Sequence, residues 1–219
     1  MRKLGWLLAL LAGAALAQTA PELLQKTSER LQAGPWKAEL VGQIMGPGGD
    51  LQPADLKVAV VPEAEVVRID FLRPDALADN YLVIAPDKVY NYLFLTNQVV
   101  VYPRERARVE GLGFDLSRLG DLQDLGARHD LIWEDPVPTQ LDGRTAWKLV
   151  GRAADPQNAG FVRVVLWIDR AEALPLRSAF YGEDERVLSD LTWKGFAFTD
   201  LKPDALVSFP PDAEWIEKN

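Results

Sequence analysis

The chain has 219 residues, no cysteine, a single histidine (His129) and a formal net charge of −8. With no thiol there is neither a disulfide framework nor a cysteine nucleophile, and one imidazole excludes a histidine-rich transition-metal centre. The acidic balance leaves no basic footprint for nucleic acid and disfavours charge-driven binding to anionic membrane surfaces.

Arg2 and Lys3 precede an apolar run from Leu4 to Leu16 that closes on Ala15-Leu16-Ala17. A charged start, a short apolar middle and a small-x-small end predict a secretory signal peptide over residues 1–17. The run is short for a membrane span. Cleavage after Ala17 leaves residues 18–219 as one domain, without Arg2 and Lys3 and so with a net charge of −10. No cysteine follows the cut to carry a lipid. An exported domain without disulfides relies on core packing alone, and a bacterial periplasm fits it.

Thr19-Ala20-Pro21-Glu22 fits a helical capping box, with proline tolerated in the first turn. Leu23, Leu24, Thr27 and Leu31 recur near helical spacing, and Gly34-Pro35 stops the helix after about twelve residues. From Trp36 the period changes to two. "WKAELVGQIM", "LKVAVV", "EVVRIDFL", "NYLVIA", "KVYNYLFL" and "QVVVY" alternate with turn residues at close intervals, which predicts an antiparallel meander. The stretch from Pro103 to Gly126 breaks the rhythm, and Phe114, Leu116, Leu119 and Leu122 in it form a short helix or a covering loop. Strands resume with "DLIWE", "TAWKLVG", "FVRVVLWID", "LPLRSAFY" and "RVLSDLTWKGFAF", before a last strand and extended tail, "ALVSFPPDAEWIEKN". No repeat or linker demands a second domain, and the fold class is mainly β with a little helix.

Catalytic equipment is thin. His129 sits in "RHDLIW", at the start of a predicted strand, and reads as a surface or rim residue. No G-x-S-x-G surrounds a serine and no EF-hand spacing appears. A carboxylate pair for glycoside chemistry would meet only in the fold, so an envelope hydrolase stays open as a third possibility. No cofactor, no metal and no catalytic residue is expected.

Several strands are apolar on both faces. Val89, Leu93 and Leu95 alternate with Tyr90, Tyr92 and Phe94. Val162, Val164, Leu166 and Ile168 alternate with Phe161, Arg163, Val165 and Trp167. An open antiparallel sheet normally wets one face, so something covers the second one. The candidates are the N-terminal helix and the middle segment. One short helix underfills the concave side of a sheet of about ten strands, which leaves a ligand cavity or a plain packed core. The tryptophans at 36, 133, 147, 167, 193 and 215 suit either.

The order of features resembles the periplasmic lipoprotein carriers of the LolA type. "FLRPD" (Phe71 to Asp75) resembles the strand ending in an Arg-Pro pair. "APDKVYNYLFLTNQVVVY" resembles the family's turn, aromatic-bearing strand and Asn/Gln-containing turn. "VRVVLWID", "LPLRSAFYGED", "VLSDLTWKGFAF" and "VSFPPDAEWI" resemble its C-terminal strands and proline-rich tail. The resemblance implies an unclosed antiparallel β-barrel, a strongly curved sheet with a helical lid over an apolar cavity. It implies binding of lipoprotein or lipid acyl chains, and handover from an inner-membrane donor complex to an outer-membrane acceptor. By position Arg73 is the lid latch, or else a surface arginine beside its proline. The chain departs from the family just after that pair, with Asp75, Ala76, Leu77, Ala78 and Asp79 where aromatics are usual. The expected cavity lining is Val67, Ile69, Phe71, Tyr90, Tyr92, Phe94, Trp167 and Trp193, with Leu23, Leu24 and Leu31 on the lid helix. The inward parity is not fixed by the sequence. The leading expectation is a noncatalytic, monomeric periplasmic carrier. The alternative is a lipid-sensing or protein-interaction module of the same fold.

Overall fold

The computed structural model describes residues 18–104 and 131–218. The expected signal peptide, the segment holding Phe114, Leu116, Leu119 and Leu122, and His129 lie outside the described residues.

The chain opens with α1 (Ala20–Gln32), whose capping box forms as the sequence predicts: Glu22 N–H donates to Thr19 Oγ1 at 3.4 Å and Thr19 N–H to Glu22 Oε2 at 3.0 Å. Two orphan helix-end donors are thereby satisfied. Thirteen strands follow among the described residues. They are β1 (Trp36–Met45), β2 (Leu51–Val61), β3 (Val66–Arg73), β4 (Tyr81–Ile84), β5 (Lys88–Leu93), β6 (Gln98–Pro103), β7 (Leu131–Trp133), β8 (Val137–Leu141), β9 (Arg144–Ala153), β10 (Arg163–Asp169), β11 (Pro175–Tyr181), β12 (Val187–Phe198) and β13 (Glu214–Glu217). Two short helices, α2 (Pro156–Ala159) and α3 (Pro203–Leu206), lie in connections.

All the strands belong to one sheet, in the order β13-β6-β5-β4-β3-β2-β1-β12-β11-β10-β9-β7, with β8 also paired to β9. The sheet is curved and does not close, so the fold is the open barrel with a helix that the resemblance implied. Every pairing is antiparallel except β13 with β6, where Glu214 to Glu217 run alongside Gln98 to Val101. The tail crosses the sheet surface before it pairs, and so arrives running the same way as β6. At the opposite edge β8 holds Pro138, which removes a ladder donor and blunts an exposed strand.

Period-two alternation sends one residue set of each strand to the inner face, where α1 lies. Leu40, Leu56, Val58, Ile69, Leu82, Ile84, Leu149, Val164, Leu166 and Trp193 join Leu23, Leu24 and Leu31 in a single buried core. A bulge departs from strict alternation. Lys37 pairs with Ala197 and Glu39 with Lys194, so β12 has one residue more than β1, and Gly195 takes φ +60°. A side chain rarely tolerates that backbone region. As a result Trp193 and Phe196, three apart, both reach the inner face. Their ring centroids are 5.9 Å apart and Phe196 lies 4.9 Å from Trp36.

The outer face of β3 to β6 holds a second core: Val61, Val66, Tyr81, Val83, Tyr92, Val99, Val101 and Leu206, with Tyr90, Leu201 and Phe209 packed against it. The segment from Leu201 to Ala213 is its cover. The two-sided grease of "KVYNYLFL" is therefore covered on its second face by the C-terminal tail and not by the N-terminal helix; the middle segment, the other cover expected from sequence, lies outside the described residues.

Candidate functional site

The candidate site is the inner face beneath α1. Helical spacing puts Ala20, Leu23, Leu24, Thr27 and Leu31 on one buried stripe. Thr27 turns its hydroxyl back to Leu23 O at 3.0 Å, so it adds no unsatisfied polar atom. The helix end is tied to β1 by Trp36, whose Nε1–H donates to Leu31 O at 3.0 Å. Arg30 lies 4.2 Å over the Phe198 ring.

Between α1 and strands β10 to β12 there is a small enclosed cavity of about 20 Å³, bounded by Leu24, Thr27, Leu31, Leu166, Ile168, Pro175, Ser178 and Trp193. That is room for about one water molecule, not for a hydrocarbon tail. An alkyl chain reaching this surface would take the place of α1's own leucines. Trp193 Nε1–H donates to Ser178 Oγ at 3.1 Å in the cavity wall. Ser189, on the same face of β12, is fully buried and its hydroxyl has no hydrogen-bond partner. Thr27, Asn91, Ser178 and Ser189 are all uncharged, and Asp169, the other buried polar residue, sits at the end of β10 with Arg144 at 2.8 Å. This surface offers apolar burial rather than charge.

The structure divides the residues singled out from sequence. Val67, Ile69, Phe71 and Trp193 lie together on the inner face with Leu23, Leu24 and Leu31. Tyr90 and Tyr92 face the other way, into the outer core. Strand β5 turns Val89 and Asn91 inward, because Val89 pairs with inner Ile84 and Asn91 with inner Leu82. Phe94 is not in a strand. Its N–H donates to Asn80 Oδ1 at 2.8 Å, Asn97 takes a left-handed turn conformation, and the Phe94 ring is 52 % exposed. Trp167 is on the outer face, with Arg177 4.8 Å and Lys148 5.9 Å from its ring.

Arg73 is also displaced from its expected role. A register shift between Asp55 and Leu56 ends the β2–β3 ladder beside it, and its side chain is exposed. It borders an open cleft of about 510 Å³ with Gln52, Pro53, Pro74, Asp75 and Ala76. Among the described residues no hydrogen bond or ion pair joins it to α1. The helix is held where it is by leucines and by Trp36.

Sequence reading passes over Trp36, Leu40, Leu56, Ser178 and the aliphatic row Val164, Leu166, Ile168 as site residues. One signal is present. The opposite row of β10 carries Arg163, which marks the all-aliphatic row as the inner one.

No family model matches the sequence, and no curated protein matches it. Solved structures do. An uncharacterized conserved protein from Thermus thermophilus is 31 % identical, with 92 % of this chain and 100 % of that chain covered at a TM-score of 0.67. A putative outer membrane lipoprotein-sorting protein domain from Vibrio parahaemolyticus is 16 % identical over 85 % of this chain and 95 % of that one, TM-score 0.51. A DUF1329 family protein from Desulfovibrio piger is 15 % identical over 84 % and 94 %, TM-score 0.53.

Proposed function

The chain belongs to the same family as the uncharacterized conserved protein of Thermus thermophilus and has the LolA-like fold, and on that premise we propose that it is an exported, noncatalytic carrier of acyl chains. The periplasm would be its compartment and lipoproteins or lipids its cargo, received from the inner membrane and passed towards the outer one.

One observation carries this reading: a 13-residue helix caps the inner face of the sheet through a buried apolar stripe. Exchanging apolar α1 side chains for an apolar ligand leaves the inner face dry in both states. Three buried leucines contribute roughly 5–9 kcal/mol at about 1.5–3 kcal/mol each, while an acyl chain gains about 0.8 kcal/mol per buried methylene. Chains of about a dozen carbons or more therefore offset the displaced helix across that whole range, and chains of fewer than about six do not. The ligand shifts the equilibrium towards an open state through its greater affinity for that state.

The absence of native cysteine makes the test clean. Thr27→Cys and Ser178→Cys place thiols on α1 and β11 beside the same cavity, and oxidation joins them without adding a linker to it. The unbridged protein takes up a fluorescent long-chain fatty acid and yields lipid by mass spectrometry; the bridged protein takes up none. A protein that is always empty and binds no fatty acid removes the proposal. Transfer between donor and acceptor vesicles then separates a carrier from a lipid sensor, which binds without delivering.

A further inference from the structure

The outer face has a recess that the acyl reading does not use. A cleft of about 500 Å³ lies over β1 to β3, walled on one side by Leu201, Ala205 and Leu206 of the C-terminal segment. This volume is in the range of small-molecule sites. Gly195 stands at its border, where an added Cβ would meet nothing within 4 Å, so the bulge leaves the rim open.

The charged groups of the cleft are unequally committed. Arg68 is fully engaged. It donates to Asp70 Oδ1 at 2.8 and 2.9 Å and to the carbonyls of Leu206 and Ser208 at 3.3 and 3.2 Å, and it lies 3.7 Å over the Tyr81 ring. Glu39 stands in register between Lys57 of β2 and Lys194 of β12, two cations for one acid. Lys37 faces only alanines, Ala59 on one side and Ala197 on the other. Among the described residues the side chain of neither Lys37 nor Lys57 makes a hydrogen bond or ion pair. The cleft thus holds three cations against two carboxylates, with Asp70 taken up by Arg68 and Glu39 shared between Lys57 and Lys194, and it sets the ammonium groups of Lys37 and Lys57 beside an apolar wall.

We propose that this cleft binds an anionic head joined to a short apolar body, with Lys37 and Lys57 holding the anion and Leu201, Ala205 and Leu206 covering the body. An ammonium donates charge-assisted hydrogen bonds to phosphate, and a phospholipid headgroup and a soluble alkyl phosphate share that chemistry. The site is separated from the inner face by the sheet and does not depend on the acyl reading.

The test is calorimetric titration of the mature protein with hexyl phosphate and with hexanol, and sedimentation with phosphatidylglycerol vesicles. Hexyl phosphate is expected to bind one-to-one, about tenfold or more tighter than hexanol, a difference that shrinks with added salt. The double variant Lys37→Gln, Lys57→Gln loses that preference while its unfolding midpoint stays unchanged. Vesicle binding lost in the same variant identifies a headgroup as the natural source, and a response to hexyl phosphate alone identifies a soluble ligand. The proposal is overturned if neither probe binds the wild-type protein, or if the double variant keeps the wild-type preference, which would place the probe on the inner face.

Discussion

The outer face solves one problem in two ways. Over β3 to β6 the chain covers its own grease. Phe209 lies 5.7 Å from Tyr81, 5.5 Å from Tyr90 and 5.2 Å from Trp215, and the tail is pinned where Tyr81 Oη–H donates to Ser208 O at 3.0 Å. Asn97 adds a second pin, with Nδ2 donating to Asp212 O at 3.2 Å. Over β9 to β12 no described segment does this. Cationic side chains lie over the rings instead: Arg163 at 3.7 Å from Tyr181, and Arg177 at 4.8 Å and Lys148 at 5.9 Å from Trp167. Their stems cover apolar surface while the charged heads stay in water. The first cover is a piece of hydrophobic core, and the second is a layer of solvated ion pairs. Both turn a two-sided strand into a soluble one, but the first contributes far more to stability.

The sharpest way to break that contrast is to remove the tail. Truncation after Thr199 deletes Leu206, Phe209 and β13 and exposes Tyr81, Tyr92, Val99 and Val101; it is expected to cost more than about 4 kcal/mol and to give an aggregating chain without a cooperative denaturant transition. Phe209→Ala keeps the tail but empties its anchor, and urea unfolding is expected to show a loss of about 2–4 kcal/mol.

Tyr81→Phe removes only the hydroxyl bond to Ser208, for about 1 kcal/mol, and adds a pH signature. Burial raises the Tyr81 phenol above its ordinary value, against the opposing pull of the Arg68 guanidinium. The unfolded chain therefore ionises first as pH climbs. The stability that Tyr81 contributes is complete below about pH 10 and is lost as pH rises through the folded value. Unfolding midpoints of the wild type should fall more steeply above that pH than those of Tyr81→Phe.

The smallest effect belongs to the other half. Arg177 donates Nε–H to Asp190 Oδ1 at 2.6 Å, and this bond together with the Asp190 charge raises the arginine further above its ordinary value. The pair is about one-third exposed, so Arg177→Ala is expected to cost under about 1 kcal/mol, with the cost falling in high salt. A salt-independent loss as large as that of Phe209→Ala would erase the distinction between the two covers.

Much of the architecture was legible in the sequence because local rules set it. Thr19 and Glu22 announce α1, the turn residues announce the hairpins, and period two announces the strands. The inner row of β10 was not read from the sequence: Trp167, expected in the lining, faces outward, and Arg163 on its own row was the signal passed over. The site was legible only in part. Val67, Ile69, Phe71 and Trp193 lie on the inner face, whereas Tyr90 and Tyr92 share their hydrophobicity and face outward. Alternation divides a strand into two rows, and when both rows are greasy it does not say which one meets the helix. Phe94 was misplaced for a local reason, since Asn80 and Asn97 draw the chain into its turn before the strand reaches that ring.

By itself the sequence determined the helix, the spacing of the strands and the need for a cover on each face, because backbone geometry and side-chain alternation act within a few residues. Only the tertiary structure decided what each cover is. A tail that is held by Asn97 at Asp212 and by Gln98 at Glu214, more than a hundred residues away in the chain, and a bulge at Gly195 that turns Phe196 inward depend on register between distant strands. That register is fixed by the burial of the whole sheet rather than by any local stretch of it.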